Sequence, residues 1–68
     1  MKDYVSRMIA ESEELSAKID KLEDFIKTHK FDELQKEKQE LLETQFYAMK
    51  TYQMILQKRL DIELAEKN

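Results

Sequence analysis

Phe25-Ile26-Lys27-Thr28-His29-Lys30-Phe31-Asp32-Glu33-Leu34 is the stretch that decides the fold, because it separates two long segments of helical periodicity. At Thr28-His29-Lys30 the apolar pattern stops on β-branched and polar residues of modest helix propensity, and it restarts at Phe31. No Gly or Pro marks the break; the whole chain contains neither. These residues predict a tight turn between antiparallel helices. Phe31 and Leu34, three apart, predict one short helical turn over about residues 31–35 packed beneath the connection, with Asp32 and Glu33 suited to a helix N-terminus.

Upstream of that stretch, Val5, Met8, Leu15, Ile19, Leu22 and Ile26 fall on an a/d heptad frame whose one polar position is Ser12. One helix over about residues 3–27 follows from this spacing, with Arg7/Glu11, Glu14/Lys18 and Glu23/Lys27 as i,i+4 pairs on its outer faces. Downstream, a second long helix is predicted over about residues 36–65, and it carries more apolar positions than one partner needs. Leu41, Ala48, Ile55 and Ile62 make one row, Leu42, Met49 and Leu56 a second, and Phe46, Leu60 and Leu64 a third, with Tyr52 between the first two. At roughly 100° per residue these rows cover an arc of about 200°, against a little over 100° for the helix of an ordinary monomer. The first helix can cover only part of it. The Phe46/Leu60 side, bordered by Tyr47 and Met54, is expected to meet another chain or to remain as an exposed patch.

Composition supports this reading. A chain of 68 residues with 40 % charged and 41 % hydrophobic residues is too apolar and periodic for a disordered tail, yet too short to bury a large core alone. Without Cys it has no disulfide or Cys-based zinc site, so self-association is the remaining source of stability. The expected fold class is therefore all-α: a single domain spanning 1–68, an antiparallel helical hairpin with a short helical turn between its long helices, assembling into a homo-oligomer. With 15 acids against 12 bases the net charge is −3, which disfavours duplex nucleic acid and anionic membrane as partners. No apolar run approaches the roughly 18 residues of a membrane span, and there is no signal-peptide core at the start, so a cytoplasmic protein is expected.

Catalytic chemistry finds little footing. Nucleophilic catalysis needs a base beside the nucleophile, and the only His, His29, falls in the turn. Glu37, Glu40 and Glu43 read as a solvated helix face, and neither a Glu-x-x-His nor an EF-hand spacing occurs, so no metal and no cofactor are expected. A small anionic ligand fits better. Tyr4, Arg7, Lys18 and Phe25 project within about 60° of one another along one border of the first apolar stripe, and Lys21 lies just beyond. Lys18 stands about 16 Å from Arg7 along the axis, so a pocket using both Tyr4 and Lys18 has to be assembled from two chains. An aromatic ring for a base and an ammonium for phosphate suit a nucleotide-like ligand. The plainer alternative is that Tyr4 staples the helix end and the bases are i,i+4 partners.

The ordered set Tyr4-x-x-Arg7-Met8-x-x-Glu11, Glu14-Leu15-x-x-Lys18-Ile19-x-Lys21-Leu22-x-x-Phe25-Ile26, Phe31-x-x-Leu34, Leu41-Leu42-x-x-Gln45-x-x-Ala48-Met49-x-x-Tyr52 and Leu56-x-x-Arg59-Leu60 resembles the small phage proteins labelled crAss-phage-related, which include the anti-CBASS cyclic-oligonucleotide sponges. The resemblance spans about residues 4–62, and many of the matching positions are hairpin core. It implies a non-enzymatic immune-evasion protein of the bacterial host cytoplasm, assembling as a hexamer and sequestering cyclic di- and trinucleotide signals in pockets between protomers. Carried over by position, the base-stacking Tyr corresponds to Tyr4 and the phosphate-contacting Lys to Lys18 or Lys21, with Arg7 in support. The rival class is a structural or adaptor helical bundle whose surplus apolar face binds a partner protein.

Overall fold

A computed structural model describes residues 3–66. Three helices follow in order: α1 (Asp3–Ile26), the four-residue α2 (His29–Asp32) and α3 (Lys36–Ala65). From the first turn of α1 inward the partners on α3 fall from Glu63 (to Tyr4) through Arg59 (to Met8) to the adjacent Gln53 and Tyr52 (to Ser12 and Glu11). The long helices are therefore antiparallel, and the hairpin is a rod of 51 × 15 × 14 Å.

The α1 seam is the one its spacing predicts. Val5, Met8 and Ser12 are buried, while Leu15, Ile19, Leu22 and Ile26 continue the same face half-buried. On α3 the facing residues are Gln39, Leu42, Phe46, Met49, Gln53, Leu56, Leu60 and Glu63, alternating steps of three and four as a heptad seam requires. The core proper is small. Val5 and Met8 close on Leu56 and Leu60, with Ile9 packed at the edge, and Leu56 alone is fully buried.

This arrangement corrects which side of α3 is left over. Leu60 is buried and Phe46 half-buried, so these two residues of the third apolar row lie in the intramolecular seam, whereas its Leu64 and the bordering Tyr47 and Met54 stay exposed. The uncovered row is Leu41, Ala48, Ile55 and Ile62, with Leu41 65 %, Ile55 48 % and Ile62 58 % exposed. A row projection leaves the choice between neighbouring seams open, since both satisfy the same periodicity.

The connection also differs from expectation. The short helix begins at His29, so His29 and Lys30 lie inside it, and Glu33 to Gln35 form the second bend. Thr28 is the reason. Its hydroxyl donates to the Phe25 carbonyl at 2.7 Å, closing α1, and accepts from the Phe31 N–H at 3.3 Å as the N-cap of α2. Phe31 is thereby driven inward, edge-on to Phe25 with ring centroids 6.1 Å apart. The carbonyls at the far side are satisfied from α3: the Gln39 amide nitrogen reaches the oxygens of Phe31, Asp32 and Leu34 at 3.0, 3.2 and 3.2 Å. Backbone φ is negative throughout the described non-glycine residues, so the bends need no glycine.

Candidate functional site

The most chemically varied surface lies at the end of the hairpin opposite the turn. There the first turn of α1 crosses the last two turns of α3, and the side chains of Tyr4, Met8, Arg59, Ile62, Glu63 and Glu66 line an open groove of about 200 Å³. Each is placed by the antiparallel register. Met8 forms the apolar floor beside Leu56 and Leu60, and the Arg59 guanidinium lies over its sulfur at 4.0 Å. The Tyr4 hydroxyl donates to the Glu63 carboxylate, which ties α1 to α3 across the groove while 40 % of the residue stays exposed.

Two further side-chain bonds cross the helices just inward of the groove. The Tyr52 hydroxyl donates to Glu11 Oε2 at 2.6 Å, and the Gln53 amide nitrogen donates to Ser12 Oγ at 3.0 Å. The Glu11 hydrogen bond raises the Tyr52 phenol above its ordinary value of 10.0, with burial and the Glu11 charge adding to the shift and Arg59 opposing it. Ser12 is buried in the seam, and the Gln53 carbonyl oxygen beside it is buried without a hydrogen-bond partner among the described residues.

Of the residues singled out in the sequence, Tyr4 lines the groove, whereas Arg7, Lys18 and Lys21 are exposed on α1 outside it. Lys18 is about 21 Å from Tyr4 along the helix axis, so one chain does not bring the two together. Phe25 belongs to the packing under the turn. Conversely, Arg59 and Glu63 reach the groove from α3 and Glu66 from its C-cap. Their signal was the antiparallel pairing itself, which sets residues 59–66 opposite 4–8 once the register is known. Among the described residues no group of three or more His, Cys, Asp or Glu is placed to hold a metal ion, and no helix is long and apolar enough to cross a membrane.

In chemical terms the groove offers an aromatic ring, an apolar floor, a guanidinium and two carboxylates, a set suited to holding a small polar molecule by stacking and hydrogen bonding. Its lining also runs into the uncovered face of α3, since Ile62 belongs to both. Fold and groove together define a two-helix hairpin with a shallow recess at its open end. The chain belongs to the Sequestin family, whose model matches residues 2–62. No curated protein and no solved structure matches it. The family name points to sequestration.

Proposed function

We propose that this protein is a non-catalytic sponge that captures cyclic di- and trinucleotide signals of bacterial CBASS immunity and withholds them from their effectors, acting in the cytoplasm of a phage-infected host. The observation that carries the reading is Tyr4 at the rim of a groove that is incomplete in one chain. A volume of about 200 Å³ falls short of the roughly 300–1,000 Å³ of pockets for drug-sized ligands. The groove abuts an uncovered apolar row, so a second copy laid on that row would deepen it. Two physical quantities support such an assembly. The accessible surface is 5490 Å², against roughly 4,500 Å² for a compact monomer of this mass. Leu41, Ala48, Ile55 and Ile62, interleaved with Gln45, Tyr52 and Arg59, also form a second heptad seam beside the first, the pattern of a helix with two helical neighbours.

In this reading Tyr4 stacks on a base, Lys18 or Lys21 of a neighbouring copy meets phosphate, and Arg7 supports either contact. The assembly is a hexamer in the family it resembles. Binding is stoichiometric and nothing is turned over. Calorimetric titration with cyclic di-AMP, cyclic GMP-AMP and cyclic tri-AMP tests it, with intact nucleotide recovered after denaturing the complex. Absence of heat with every one of them at tens of micromolar would sink the sponge, and recovery of a cleaved product would make the protein an enzyme. The same exposed row favours one second reading, an adaptor that binds a partner helix in its apolar seam. Light scattering separates the two: the sponge requires a homo-oligomer that Ile55→Glu dissociates.

A further inference from the structure

Tyr4 occupies an unfavourable place for a recognition residue. It stands in the first turn of α1, where backbone N–H groups lack intrahelical partners and helices open first. The residue stays 40 % exposed, and a side chain so placed loses rotamer freedom when a ligand fixes it. The partner of its hydroxyl lies in the last turns of α3, at the same end of the rod. Each helix end is thus tied to the other at the position where both are least supported by their own backbones.

Resting on the reading of Tyr4 as the base-stacking residue, we propose that Glu63 is its positioning residue: the carboxylate fixes the phenol at its para end, setting the ring across the groove before ligand arrives. The geometry suits the task. A bond to the hydroxyl lies in the ring plane and leaves the faces open, so the tether does not compete with stacking. Glu63 is half-buried and follows Arg59 by four residues, which sets both on the groove side of α3. The Tyr52–Glu11 pair is a built-in control. It has the same chemistry between the same helices, with the tyrosine on α3 and the carboxylate on α1, and neither residue lines the groove.

The experiment is calorimetric titration of the full chain with whichever of cyclic di-AMP, cyclic GMP-AMP or cyclic tri-AMP binds the wild type tightest. Tyr4→Ala is expected to weaken binding by about 5- to 150-fold through lost stacking. Glu63→Ala is expected to weaken it about 2- to 10-fold by freeing the ring. Glu63→Gln keeps an acceptor oxygen and should bind within about twofold of wild type, a rescue that loss of helix packing would not show. Glu63→Ala added to Tyr4→Phe should cost nothing more, since the bond is already gone. Glu11→Ala, the control, should bind as wild type, and circular dichroism checks that each variant is folded. Wild-type affinity in Glu63→Ala, or equal losses in Glu63→Gln and Glu63→Ala, would overturn the positioning role while leaving the site intact. Wild-type affinity in Tyr4→Ala would instead overturn the site itself.

Discussion

The two ends of the rod are held by different kinds of interaction. At the open end Val5, Met8, Leu56 and Leu60 are buried against one another, and every cross-link joins residues far apart in sequence, Tyr4 to Glu63, Glu11 to Tyr52 and Ser12 to Gln53. At the turn end one apolar residue, Phe31, is buried, with Phe25, Ile26, Leu34 and Leu42 half-buried, and the bonds are local and directed at backbone, from Thr28 and Gln39. Local contacts need little loop closure and form readily, whereas non-local ones exist only in the folded hairpin. The groove therefore sits at the end that depends on the whole fold, and damage there should reach stability and binding together.

Three measurements, each at one fixed protein concentration because self-association would contribute to stability, can break or sharpen that contrast. The largest effect is expected from the core. Leu56→Ala should cost about 2–5 kcal/mol by urea unfolding, and Leu42→Ala, half-exposed near the turn, less than about 2 kcal/mol. Equal losses would erase the distinction between the ends. A smaller effect tests the polar position in the seam: Ser12→Ala strands the Gln53 amide and should cost about 1–3 kcal/mol, whereas Ser12→Ala with Gln53→Met should recover most of it, since no polar group is then left buried. The smallest effect is a pH dependence. Because the folded value of Tyr52 is raised, the neutral phenol is the form the hairpin favours. Its contribution is present below the ordinary value of 10.0 and is lost as pH rises through the raised one. Melting temperatures followed from about pH 9 to 11 should fall more steeply for wild type than for Tyr52→Phe.

Much of this architecture was legible in the residues. The a/d frame from Val5 to Ile26 is the face that packs, and the long helix was expected at 36–65, where α3 lies. Two things were not legible, and for physical reasons. With apolar rows on adjacent sides of α3, periodicity does not say which one α1 occupies, and Leu60 lies in the seam with α1 where the row projection leaves it on the free side. The short helix starts two residues before the Phe31 restart because the Thr28 hydroxyl accepts from the Phe31 N–H, a cap that apolar periodicity does not register. As for the groove, only its α1 half could be seen. Arg59 stands in the quoted pattern only beside the core pair Leu56 and Leu60, Glu63 and Glu66 carry no motif, and all three enter the groove through register.

The connection between the helices has a practical consequence. Its bends are made by two side chains, Thr28 and Gln39, and by backbone angles open to any amino acid, since no positive φ occurs among the described non-glycine residues. His29, Lys30, Asp32 and Glu33 are exposed between those anchors, at the far end of a 51 Å rod from the groove. A single cysteine placed at His29 or Lys30, in a chain that has no other, gives an attachment point for a dye, a surface tether or a fused reporter. The recess and the apolar row would remain untouched, and the hairpin becomes an addressable probe.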